Sequence, residues 1–140
     1  MKNFRFVSLA AVALLLGSLA QAQVTHLKAN VPFDFVIGNT VYSAGNYDIG
    51  RFSNHEKILR IDNVDESRST VVTSDTCSSN IPARKSMLVF HRVGDTYFLY
   101  QIWVEGNTSG LSLPKSKMEI QLASNKPTSD STVAATNLIH

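Results

Sequence analysis

The stretch from Ser86 to Glu105 constrains this chain most: two runs of β-branched and aromatic residues, Met87 to Val93 and Thr96 to Val104, flank the dipeptide Gly94-Asp95. Gly-Asp suits a tight two-residue turn, so the spacing predicts an antiparallel hairpin. With that turn, Arg92 faces Tyr97, Phe90 faces Leu99, Leu88 faces Gln101 and Ser86 faces Trp103 on one side. The other side carries Val93 with Thr96, His91 with Phe98, Val89 with Tyr100 and Met87 with Ile102. Both sides are largely apolar, so both need cover. The hairpin is expected to be central, in a sandwich, a barrel, or a sheet with a helix across its back.

Shorter period-two segments surround it. Ala29, Val31, Phe33, Phe35 and Ile37 alternate with other residues and mark one buried side, while Pro32, which has no N–H to donate, points to an edge or a bulge. Gly38-Asn39 and Ala44-Gly45-Asn46 read as turns around a short Val41-Tyr42 strand. Tyr47 to Phe52, Lys57 to Ile61 and Ser69 to Thr73 read as further strands, and the polar run from Thr73 to Asn80 as a loop. In Leu111 to Leu122 two patterns compete. Met118, Ile120 and Leu122 alternate as in a strand, yet Pro114 suits a helix start and Met118 and Leu122 are one helical turn apart. The expected fold is all-β, mainly antiparallel: a small sandwich or barrel with at most one short helix near residues 114–123. Residues 23–123 form one domain in this reading. Residues 124–140 form a polar, flexible tail, in which Val133-Ala134-Ala135 is a candidate last edge strand.

The first 22 residues read as a cleaved export signal. Lys2 and Arg5 make a positive start, Phe6 to Leu16 an apolar run, and Ala20-Gln21-Ala22 a small-x-small cleavage site. A membrane anchor needs about 20 apolar residues, and the run from Phe6 to Ala20 is shorter and interrupted by Ser8 and Gly17. The expected location is therefore the periplasm or the extracellular space, with no transmembrane segment after cleavage. Of the 13 Lys and Arg in the chain, Lys2 and Arg5 fall in that signal, which leaves the remainder balanced against 11 Asp and Glu. A neutral domain without basic runs argues against nucleic-acid binding.

The residues of common active sites are missing from the pattern. There is no glycine-rich phosphate loop, no Gly-x-Ser-x-Gly elbow, no His-Glu-x-x-His and no cysteine pair. His26, His55, His91 and His140 are scattered; His55-Glu56 would need a loop to chelate together, and Asp62, Asp65 and Glu66 read as a solvated acidic turn. Cys77, the one cysteine, reads as an idle loop thiol. No catalytic residue, metal or cofactor is expected. The candidate ligand or partner surface is His91, Arg92, Tyr97, Tyr100 and Trp103, where aromatic rings stack on a sugar or another flat group and His91 and Arg92 supply hydrogen bonds. The bland alternative is a partly buried His91 and a cross-strand Arg92–Tyr97 stack.

Five pieces, Ala29 to Asn39, Ala44 to Ile49, Leu88 to Leu99, Gln101-Ile102-Trp103 and Leu113-Pro114-Lys115-Ser116, together resemble a family of small exported bacterial proteins with no assigned function. The resemblance implies an exported β domain and a short charged helix after the Leu-Pro-Lys-Ser piece, from which Ile120 departs. The Ala-Gly-x-Tyr-x-Ile piece also resembles a turn-and-strand unit of carboxypeptidase-regulatory and transthyretin-like sandwiches. Neither resemblance implies a catalytic residue. Two readings stand. One is a non-enzymatic exported domain that binds a protein partner, a glycan or its own copies; the alternative is a small periplasmic or secreted hydrolase.

Overall fold

The computed structural model describes residues 26–52 and 57–138. The proposed export signal and His55, Glu56 and His140 lie outside these residues. Among the described residues there are eleven strands and one short helix. No helix there is long and apolar enough to cross a membrane.

Strand β1 (His26–Val31) alternates outward and buried residues, and Pro32 ends it before β2 (Phe35–Ile37). Then follow β3 (Thr40–Tyr42), β4 (Gly45–Arg51), β5 (Ile58–Asn63) and β6 (Arg68–Thr73). The expected loop at 73–80 is corrected. Ser74 is a buried corner, with its N–H donating to Lys57 O at 2.7 Å, and beyond it the chain continues as β7 (Asp75–Ser78). The central hairpin is β8 (Met87–Val93) and β9 (Thr96–Trp103); β10 (Ser109–Ser112), helix α1 (Lys117–Ala123) and β11 (Thr128–Leu138) complete the chain.

The main path of paired strands is β3-β2-β9-β8-β11-β1-β4-β5-β6, antiparallel except where β2 runs parallel to β9. Along its free edge β9 carries β2 at Tyr97–Phe98 and β10 at Gln101–Ile102, and β10 in turn pairs with β7. Because β6 runs through the Ser74 corner into β7, the chain itself carries one end of the sheet round toward the other. The sheet curls into a half-barrel. Its inside is filled by Leu27, Ile49 and Ile61, which lie in one cross-strand row, and by Phe35, Tyr47, Leu88 and Phe90.

The tail reading is also corrected. Thr128–Leu138 is paired on both sides, to β8 and to β1, so the domain does not end at residue 123. Val133 and Ala135 pack on the core, while Thr132, Ala134 and Thr136 face outward.

The hairpin turn is as expected, Gly94 taking a φ of 62° that its missing Cβ allows. Its register holds from Val93–Thr96 to Phe90–Leu99 and then shifts: Val89 faces Gln101, Leu88 faces Ile102 and Met87 faces Trp103. Tyr100 is the extra residue of a β-bulge. This one residue overturns the expected pairs Leu88–Gln101, Ser86–Trp103, Val89–Tyr100 and Met87–Ile102. Ile102 turns into the core beside Leu88, and Gln101 and Trp103 turn to the outer face with Val89 and Met87.

Candidate functional site

The outer face of the hairpin is covered at one end by α1. Ser116 caps that helix, its hydroxyl accepting from Glu119 N at 3.1 Å, and Met118 and Leu122 pack on Val36, Val93 and Phe98. Ile120, the residue that broke the charged pattern, is exposed. Between helix and sheet lies a buried polar pair: His91 Nδ1 is 2.5 Å from Glu119 Oε1, and both residues are buried. The imidazole stacks on Tyr100, with ring centroids 3.7 Å apart, and its Nε2 is 3.8 Å from Asp130 Oδ1 on β11. Glu119 escaped the sequence reading. The Ser116-x-x-Glu119 spacing of a capping box was its signal, although the carboxylate reaches His91 across the interface.

Beyond the Tyr100 bulge the same face opens into a cleft of about 330 Å³. Its floor is Met87 and Val89 from β8, Gln101 and Trp103 from β9, and Asp130 and Thr132 from β11. Ser79, Ile81 and Ala83 wall one side. That wall is anchored by the backbone: Ser79 N donates to Thr108 O at 2.8 Å, Ala83 N to Asn107 O at 3.0 Å and Gly106 N to Ala83 O at 2.9 Å. Trp103 packs against Gly110, where an added Cβ would come within 2.8 Å of the indole. Its Nε1–H donates to Gln101 Oε1 at 3.1 Å, which sets the orientation of both side chains.

The five candidate residues therefore do not share a surface. His91, Tyr100 and Trp103 lie on the outer face, the first two stacked on each other and Trp103 beyond Gln101. Tyr97 is on the core side, stacked on Phe33 at 3.8 Å, with the Arg92 guanidinium 5.6 Å from its ring centroid. Arg92 also donates from Nε to Gly94 O at 3.0 Å. The Arg92–Tyr97 stack is thus present, and it leaves neither residue beside Trp103.

Cys77 sits in β7 opposite Gly110, and burial pushes its thiol pKa up, the wrong direction for an activated nucleophile. In the acidic turn, Asp65 accepts from Asn46 N at 2.7 Å and from its side-chain amide, and these hydrogen bonds hold its carboxyl below the usual Asp range. Asp62 is instead in β5, 2.9 Å from Arg60 Nε. Among the described residues no three His, Cys, Asp or Glu side chains are grouped to hold a metal ion. Comparison with family models, with curated proteins and with solved structures finds no match to this chain.

Proposed function

We propose that this chain is an exported, non-enzymatic binding domain whose ligand site is the cleft on the outer face of β8, β9 and β11. The observation that carries this reading is the convergence, in one cleft of about 330 Å³, of the Trp103 indole, apolar Met87 and Val89, and the polar groups of Gln101, Asp130 and Thr132. That is the usual make-up of a small-ligand site, at the small end of the usual size range. Export rests on the charge, apolar run and Ala-x-Ala site of residues 1–22.

The buried His91–Glu119 pair is the feature nearest to hydrolase chemistry. A hydrolytic base needs its second ring nitrogen on a nucleophile or a water; here Nδ1 meets Glu119 and Nε2 is turned toward Asp130. That arrangement favours a polar pin holding α1 to the sheet. The test is a ligand screen by NMR on the isotopically labelled domain. Saturable shifts confined to residues 79–83, 87–89, 101–103 and 130–132 are expected; a screen that moves none of them sinks the proposal. Mass spectrometry of protein from its native host checks export, an intact Met1 terminus being the contrary result.

A further inference from the structure

We propose that the cleft takes a small primary ammonium compound with a short apolar body; this rests on the binding reading above. Among the described residues Asp130 is the one charged side chain that lines the cleft, and beyond the His91 Nε2 that lies 3.8 Å from its Oδ1 the carboxylate is exposed. It stands at the β11 side, and across the floor from it Val89, Met87 and Trp103 supply the apolar surface. Two further polar side chains of the lining, Gln101 and Trp103, orient each other. Trp103 gives its N–H to Gln101 Oε1, which fills one of that oxygen's two acceptor sites and holds the amide in place, so Gln101 offers a ligand its two N–H donors and one remaining lone pair. A cation on Asp130, an apolar body against Trp103 and an oxygen acceptor near Gln101 complement this lining. An anion would meet the Asp130 carboxylate, and no Lys or Arg among the described lining residues offsets it.

The ammonium group has two possible sources, a free amine or a lysine side chain of a peptide, and both present the same chemistry to Asp130. The chain contains a single tryptophan, Trp103 on the cleft floor, so its fluorescence reports occupancy directly. The experiment titrates the domain with phenethylammonium, 2-phenylethanol and 3-phenylpropionate, which share an apolar body and differ in charge, and with N-acetyl-lysine amide as the peptide arm. The ammonium compounds are expected to give saturable changes in Trp103 emission, weakened by added salt. Asp130→Asn should weaken them roughly tenfold, as should Thr132→Arg, which brings a competing cation. Both positions are exposed on β11, so circular dichroism should stay that of the parent. If N-acetyl-lysine amide binds more tightly than phenethylammonium, the source is a peptide; the reverse order makes it a free amine.

Equal or tighter binding of the alcohol or the carboxylate, or an unchanged affinity in Asp130→Asn, overturns the ammonium assignment while the binding reading survives. If none of the four compounds changes Trp103 emission, the ammonium assignment falls. The binding reading then stands or falls on the NMR screen.

Discussion

The guanidinium of Arg68, on the last strand of the main path, lies 5.0 Å from the ring centroid of Tyr42, on the first. The two ends of the sheet are therefore bridged by a cation–π contact, while the chain running through Ser74 links β6 by way of β7 and β10 to β9. At an exposed seam such a contact is worth about 0.5–1 kcal/mol. Arg68→Ala is expected to lower unfolding free energy by about that amount in denaturant melts. A cost of several kcal/mol would mean that the seam holds more than this contact.

Phe90 has no exposed surface and packs edge-on against both Phe33 and Phe35. Phe90→Ala should cost about 3–5 kcal/mol, the range for a fully buried phenylalanine. That is a large share of the stability of a domain this size. A loss under about 1 kcal/mol in a chemical melt would contradict the central place of β8.

The pin under α1 predicts strong non-additivity. Removing one partner of the His91–Glu119 pair leaves the other buried and unmatched, so Glu119→Ala should cost about 3 kcal/mol. The double change His91→Phe with Glu119→Leu should recover most of that loss, because it removes both buried polar groups together. Additive losses in the cycle would show that the two side chains do not depend on each other.

Asp65 sets a pH dependence of definite sign. Its folded carboxyl titrates below the unfolded value of about 3.9, because the amides of Asn46 bind the ionised form. The stabilisation is complete above that unfolded value, declines as the pH falls toward the lower folded pKa, and is absent below it. Asp65→Asn should therefore lose stability relative to the parent at neutral pH, and the difference should shrink on acidification. Melts at neutral and acid pH that show a constant difference would contradict the assignment.

The network around Tyr47 carries a further, local expectation. Asn63 donates to the Tyr47 hydroxyl at 2.9 Å and accepts from Asp65 N and Glu66 N, while the Tyr47 hydroxyl donates to Ser43 O at 2.6 Å. Burial raises the Tyr47 pKa, so the phenol stays protonated and keeps donating. Asn63→Ala leaves those donors unmatched and should cost about 2–3 kcal/mol, read from urea melts.

Alternation of apolar residues alone determined that β1, β4 and β5 bury one face. The Gly94-Asp95 turn and its β-branched flanks likewise determined the hairpin, because these signals are local and depend on side-chain period and backbone freedom. Three features depended on partners distant in sequence. Tyr100 bulges between the half of β9 that pairs with β2 and the half that pairs with β10, and that single residue decided which way Trp103 points. The 128–138 segment reads as a polar tail because its inward positions include Ser131 and Ala135. It becomes a strand because β8 and β1 supply ladder partners on both sides. Glu119 is not marked out by its place in the sequence pattern; packing of α1 on the sheet sets it against His91. Composition and period report what a segment can bury; which strand lies beside it, and so where the cleft forms, is set by long-range pairing in the folded chain.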